Sequence, residues 1–338
     1  MTETAPSLPV QARDALRSHA PGLLVAGAAA SAAAFISGHY GAPLMLMALL
    51  VGLALNFLSA DPRLDKGLGF AARTLLRGGV VLVGARITLG QMADLGPAAI
   101  LALVVVVGLT LAAGAWLGRR LAGDLSLGVL MGAAVAICGA SAALAVAAVL
   151  GERRLAKAQL TMTLVAIAVF SALAMVLYPL LAHLLGLGVR QTGFFLGASI
   201  HDVAQVMGAG YSVSPEVGDI SAVVKLTRVA LLAPVLLVLS LLFRAEPGEA
   251  KPRVGLPWFV IGFFAVVAVN SMGWLPPPVV EASAASAQAL LVLAVAATGV
   301  RSPMLEVLKQ GPRPLLIAGG ATLAALLLSL AAAALLVR

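Results

Sequence analysis

Two Gly-Ala-Ser triplets inside long apolar stretches carry the residues whose types and spacing could do chemistry. Gly139, Ala140 and Ser141 form the first; Gly197, Ala198 and Ser199 form the second, which runs on into His201, Asp202 and Gln205. Each triplet is followed by a Leu-Thr pair entering another apolar segment, Leu160-Thr161 and Leu226-Thr227. A histidine beside a carboxylate can exchange a proton near neutral pH, so His201 and Asp202 suit proton coupling or gating. The competing reading has them tie down exposed backbone at a hairpin tip. Glycines 139 and 197 supply backbone freedom and serines 141 and 199 a hydroxyl. A helix starting there would offer unpaired N–H groups and a positive dipole to an anion. Close packing of small residues between helices would use the same letters. Gln205, four residues after His201, either binds substrate or caps neighbouring backbone. Lys225 and Arg228 lie three apart on one helix face, where an intramembrane cation costs ~2.5–3.5 kcal/mol on insertion scales. They either neutralise Asp202 and attract an anion, or snorkel. Gly139, Ala140, Ser141, Gly197, Ser199, Gln205, Lys225 and Arg228 are therefore the expected substrate-binding set, with His201 and Asp202 for coupling or gating.

Other polar positions are less telling. Cys138 reads as a small buried hydrophobe rather than a reactive thiol. Arg86 and Arg301 are anchors at segment ends or members of the site. Asn56 and the Asn270-Ser271 pair either line a cavity or satisfy local backbone, and His39 and His183 fall at segment ends.

The elements that must position these residues are membrane helices. Only 11% of the 338 residues are charged and 61% are hydrophobic, against about 25% charged in a soluble domain. Segments of the ~20-residue length that a bilayer core needs lie near 22–38, 42–58, 72–90, 97–118, 125–150, 158–183, 190–211, 219–243, 257–274, 281–300 and 313–337. Residues 1–20 are polar and read as a cytoplasmic N-terminal segment. The run Leu23 to Ile36 reads as the first membrane helix rather than a signal peptide, so 21–338 is one transmembrane domain. The net charge is +8, but the basic residues cluster in short links, the positive-inside pattern. Nucleic-acid binding would need a contiguous basic face with aromatic platforms, and 5% of residues are aromatic. A single cysteine excludes a disulfide framework or a Cys-metal cluster. No Walker loop, His-Glu-x-x-His run or Gly-x-Ser-x-Gly elbow occurs, so no metal, cofactor or enzymatic activity is expected.

Loop charge decides the topology. The basic links are the N-terminus (Arg13, Arg17), 61–77, Arg119-Arg120, Arg153-Arg154-Lys157, 244–253 and Arg301 to Arg313; the acidic or neutral ones are 38–42, the Asp94 turn, 184–189, Glu216 to Asp219 and the turn before Glu281. If all the segments crossed, Arg153-Arg154-Lys157 would fall outside and Glu216 to Asp219 inside. If the two Gly-Ala-Ser segments, near 125–150 and 190–211, instead dip in and return, one from each side, every internal loop obeys the rule with the N-terminus cytoplasmic. A pair of short crossings gives the same parity. Irregular backbone at that depth must be buried in protein or line a cavity. A second repeat places Gly84, Arg86, Gly96 and Pro97 at one constant offset from Gly299, Arg301, Gly311 and Pro312. Together the repeats predict an all-α polytopic protein of about 9–11 membrane segments in two inverted halves, about 42–188 and 189–338, with permuted element order.

The strings AICGASAALAV, LGASIHDVAQVMGAG, VVKLTRVALLAPVLL and PWFV followed by Asn270-Ser271 resemble the YeiH-like sulfate exporter family of bacterial inner-membrane proteins. The resemblance runs from about Pro21 to the C-terminus, with Asp202 where the family often has Glu. It implies a fold related to the cation/proton antiporter and anion transporter superfamily, with a scaffold domain and a mobile core, and export of a small anion such as sulfate. The expected function is a secondary active transporter of a small anion, with protons or sodium as coupling ion and the bilayer as its other partner. The rivals are a cation/proton antiporter that uses Asp202, and a membrane sensor or enzyme. Oligomeric state is left open, a homo-oligomer included.

Overall fold

The computed structural model describes residues 8–93, 96–151, 153–243, 257–302 and 312–337, which are built of helices and hold no strand. The Asp94 turn, the 244–253 link and Gly311 lie outside the described residues, as do the side chains of Arg13 and Lys157. Seven helices are long and apolar enough to cross a bilayer: Arg17–Tyr40, Pro62–Arg86, Gly96–Ala122, Ala158–Leu184, Pro215–Leu242, Pro277–Val300 and Pro312–Leu336. Their outward faces are greasy; on one of them Leu101, Val104, Val105 and Leu109 are all exposed, as a lipid-facing surface requires. The protein is a multi-pass membrane protein.

In chain order the elements are α1 (Leu8–Tyr40), α2 (Leu44–Ala54), α3 (Pro62–Phe70), α4 (Leu76–Val83), α5 (Leu89–Ala93), α6 (Gly96–Leu117), α7 (Leu125–Ala136), α8 (Ala140–Leu150), α9 (Lys157–Leu184), α10 (Val189–Ser199), α11 (Val203–Val213), α12 (Pro215–Ala230), α13 (Leu232–Leu242), α14 (Trp258–Ser271), α15 (Pro277–Val300) and α16 (Pro312–Leu336). A π-helical turn, Ala71–Leu75, joins α3 to α4 in one rod.

The first helix begins at Leu8, inside the stretch read as a polar N-terminal segment, and three further segments start earlier than hydropathy places them, each behind a start signal. Asp61 caps α3 by accepting the Arg63 N–H at 2.9 Å, with Pro62 in the first turn. The basic 61–77 link is therefore the first turns of a helix, not a loop. Ser214 caps α12 by accepting the Val217 N–H at 3.1 Å, so Glu216 and Asp219 belong to that helix. Pro277 opens α15, which puts Glu281 inside it. Polar first turns hid these starts from a reading based on apolar length.

The two Gly-Ala-Ser segments are hairpins that enter from opposite ends of the molecule. Gln159 at the start of α9 donates to Asp124 at the start of α7, 2.7 Å, and α8 returns to that end before α9 begins. In the second hairpin, Gly193 of α10 faces Val217 and Ile220, Gly197 faces Ser221 and Val224, and Gly210 of α11 faces Gly218. The order 193, 197 then 210 against α12 shows one arm descending and the other returning. Its open end lies at the finish of α9, where Thr192 Oγ1 donates to the Leu187 carbonyl at 3.2 Å. The first hairpin opens at the basic end, with Arg119, Arg120, Arg153 and Arg154, and the second at the far end.

The helices sort into two bundles. α6, α7–α13 and α16 pack around the hairpins, while α1–α4, α14 and α15 form a second group alongside. Within that second group Asn56 and Asn270 do the same work at opposite ends. Asn56 donates to the Val300 (2.7 Å) and Ser302 carbonyls; Asn270 donates to the Ile87 carbonyl, 3.1 Å. Gly84 lies against Phe263 and Gly299 against Leu49 and Gly52, positions related by the same offset as Arg86 and Arg301. Both asparagines satisfy helix-end carbonyls, which resolves what the sequence left open.

Candidate functional site

The hairpin tips meet at mid-depth. The first breaks at Gly139, whose φ of 65° and ψ of −124° suit glycine alone, and α8 starts there with no side-chain cap. The second breaks at Ile200 to Asp202, all in extended or bent backbone. Gly197 and Ser199 are not the break, as the sequence suggested. Both sit inside α10, where a Cβ on Gly197 would lie 2.7 Å from the Ser221 carbonyl oxygen and Ser199 Oγ donates to the Phe195 carbonyl at 2.6 Å. They serve helix packing.

Lys225 and Arg228 are both fully buried and staple the two tips together. Lys225 Nζ donates to the carbonyls of Ile137 (2.7 Å), Ile200 (2.8 Å) and His201. Arg228 donates to Val135 (2.8 Å), Ala136 (2.8 Å from Nε), Gly197 (3.2 Å), Ala198 and Ile200 (3.2 Å). These are the orphan carbonyls at the C-terminal, negative ends of the half-helices α7 and α10. The two side chains neither snorkel nor reach the cavity; their donors are spent on backbone.

Asp202 caps α11 through the Ala204 N–H, 2.9 Å, and its own N–H donates to Ser171 Oγ, 3.1 Å. Across the gap Asp202 Oδ2 faces Gly139. His201 lies behind the tip. Its Nε2 lies 2.9 Å from Thr322 Oγ1, a hydroxyl that also lies 2.8 Å from the Ala318 carbonyl. The other ring nitrogen, Nδ1, is buried as well. Ser171 and Thr322, hydroxyls with apolar neighbours in sequence, had no local motif to reveal them.

A cavity of about 460 Å³ runs between the two bundles from the tips to the basic end. Cys138, Ala140, Ser141, Asp202 and Gln205 line its depth, and Arg73, Arg77 and Arg301 its mouth. Gln205 is 3% exposed, and its Oε1 has no partner. Asp202 is the only carboxylate on the wall among the described residues. At the far end the bundles are latched: Arg86 pairs with Asp219 at 3.4 Å, and Tyr211 donates to Asp219 at 2.7 Å. The structure thus brings Ala140, Ser141, Asp202 and Gln205 to one cavity, with Gly139 against Asp202 beside it. Gly197, Ser199, His201, Lys225 and Arg228 stand behind it.

The family described as "Conserved hypothetical protein 698" matches residues 21–318. The chain belongs to this family. Curated UPF0324 membrane proteins align with this family member over most of its length. That named TauZ from Paracoccus pantotrophus is 45% identical over 309 residues, covering 89% of this chain and 91% of the relative. A relative from Chlorobaculum tepidum is 44% identical over 301 residues, 88% of this chain and 84% of the relative. One from Rhizobium meliloti is 43% identical over 300 residues, 88% and 87%. The resemblance drawn from the motif strings therefore stands at the level of the family. No solved structure matches.

Proposed function

We propose that this protein is a secondary active transporter of a small inorganic or organic anion of the sulfate type, and not an enzyme. One observation carries the reading. Two buried cations stand behind the hairpin tips, and the uncapped start of α8 meets one carboxylate, Asp202, where the tips border a cavity. Positive charge in excess at mid-membrane is stabilised by an anion, and the α8 N-terminus aims N–H groups and dipole at it. Ser141 Oγ and the Gln205 carboxamide supply the remaining hydrogen bonds, while Lys225 and Arg228 contribute field rather than contact. The His201 imidazole, with Asp202, gives the coupling proton a place to reside.

The opposed hairpins and the paired Asn56 and Asn270 bonds support two inverted halves with permuted order. The cavity open at the basic end and the Arg86–Asp219 latch at the other describe one state of an alternating-access cycle. Loop charge makes the basic end cytoplasmic, with the N-terminus on that side of a bacterial inner membrane. Export begins from this state.

Labelled-sulfate counterflow into proteoliposomes tests the proposal. Accumulation that unlabelled oxyanions compete away, and that Gln205→Ala weakens, is expected. Counterflow of sodium but of no anion would replace this reading with cation exchange through Asp202.

A further inference from the structure

The mouth of the cavity holds an arrangement that the transport site does not use. Gly69 is buried on α3, and the guanidinium groups of Arg73 and Arg301 converge over it from two different helices. A Cβ there would collide with Arg301 Nη1 and lie 2.8 Å from Arg73 Nη2. Arg301 Nη1 donates to the Asp65 carbonyl at 3.0 Å and pairs with its carboxylate at 3.1 Å. Arg73 Nε donates to the Gly69 carbonyl at 3.2 Å. Two like-charged forks therefore lie side by side, with the exposed Asp65 carboxylate paired to Arg301 and Arg73 held by the Gly69 carbonyl, and each also lines the cavity. Arg73 belongs to the π-helical turn Ala71–Leu75, a local widening that in helices is frequent at functional sites. Juxtaposed guanidinium groups repel unless an anion lies between them, and their planar N–H forks match an oxyanion bidentately.

We propose that Gly69, Arg73 and Arg301 form a second oxyanion subsite on the scaffold wall of the cavity, binding a sulfate-, phosphate- or sulfonate-type group. Binding itself is independent of the transport reading; only the subsite's role, loading anion from the basic end toward Ser141 and Gln205, rests on it. Gly69 is the specificity element, since a side chain there displaces both forks while leaving both charges in place.

The test uses purified full-length protein in phospholipid-free detergent, treated with the arginine reagent phenylglyoxal and read by peptide mass spectrometry. Sulfate, phosphate and methanesulfonate are each expected to slow modification of Arg73 and Arg301 several-fold relative to chloride at equal ionic strength. Gly69→Ala should abolish that protection, and Arg301→Lys, which keeps the charge without the fork, should abolish it at Arg73. Gln205→Ala should leave it intact. Loss of protection in Gln205→Ala would mean that the arginines merely report the deeper site, and overturns the proposal, as does equal protection by chloride. Repeating the reaction without sulfate, in phosphatidylcholine vesicles with or without phosphatidylglycerol, separates the sources. Protection by free sulfate assigns a soluble anion; protection by phosphatidylglycerol alone assigns a lipid headgroup to the same forks; no protection by either removes the subsite. Protection that persists in protein showing no anion counterflow would keep the subsite and discard the transport function.

Discussion

Lys225 and Arg228 show how far a residue's role can differ from what its neighbours in sequence suggest. Both were legible as intramembrane cations, but their partners are backbone carbonyls 88 to 93 residues away on the first hairpin, and carbonyls carry no sequence signature. Arg228→Met should therefore act on stability. It leaves the carbonyl ends of α7 and α10 buried and unpaired, at about 1–3 kcal/mol for each group, and a fall in melting temperature of ~5 °C or more is expected in a detergent thermal-shift assay. Ser141→Ala and Gln205→Ala should leave the melting curve in place and instead weaken anion competition in counterflow. His201→Gln has a third signature. It keeps an amide that can hydrogen-bond to Thr322 but removes the titratable ring, so transport should persist while its dependence on an imposed proton gradient is lost. A gradient response unchanged in His201→Gln would take the proton away from this ring.

At the level of elements, the hairpins were readable because two interruptions and the loop charges agreed, whereas the site of each break was not. The first falls on a glycine held at positive φ; the second falls on Ile200 to Asp202, where Asp202 as N-cap restarts the helix without any glycine. Gly139→Ala should cost ~1–3 kcal/mol from its backbone conformation alone. The new Cβ would also stand 3.3 Å from Ile167 Cγ2, so reduced yield and a lower melting temperature are the expected readouts. Helix starts at Asp61 and Ser214 were missed for the opposite reason: polar caps and first turns look like loops when apolar length is the only criterion. Family strings pointed to the correct lineage, and they did so through residues that mostly hold the hairpins together.

For the whole molecule, the separation into two bundles latched at one end and parted at the other predicts a sided chemistry. Cys138, the single cysteine, lines the open cavity, so membrane-impermeant thiol reagents should label it from the basic side only, and sulfate should slow them. Arg86→Ala removes the far-end latch and should lower that labelling as the population shifts toward the opposite opening; no change in rate would show that the latch does not bias the cycle. The two bundles were not visible in the sequence, because every segment is comparably apolar and only packing distinguishes them. The stapling of both hairpin tips by one helix also orders the birth of the protein. As the chain leaves the ribosome, the tip at Val135 to Ile137 must wait in the bilayer, its carbonyls unanswered, until residue 228 has been synthesised. The first hairpin is thus an obligate late folder despite its early synthesis, and a chain truncated before α12 should be handed to membrane proteases rather than persist as a half-protein.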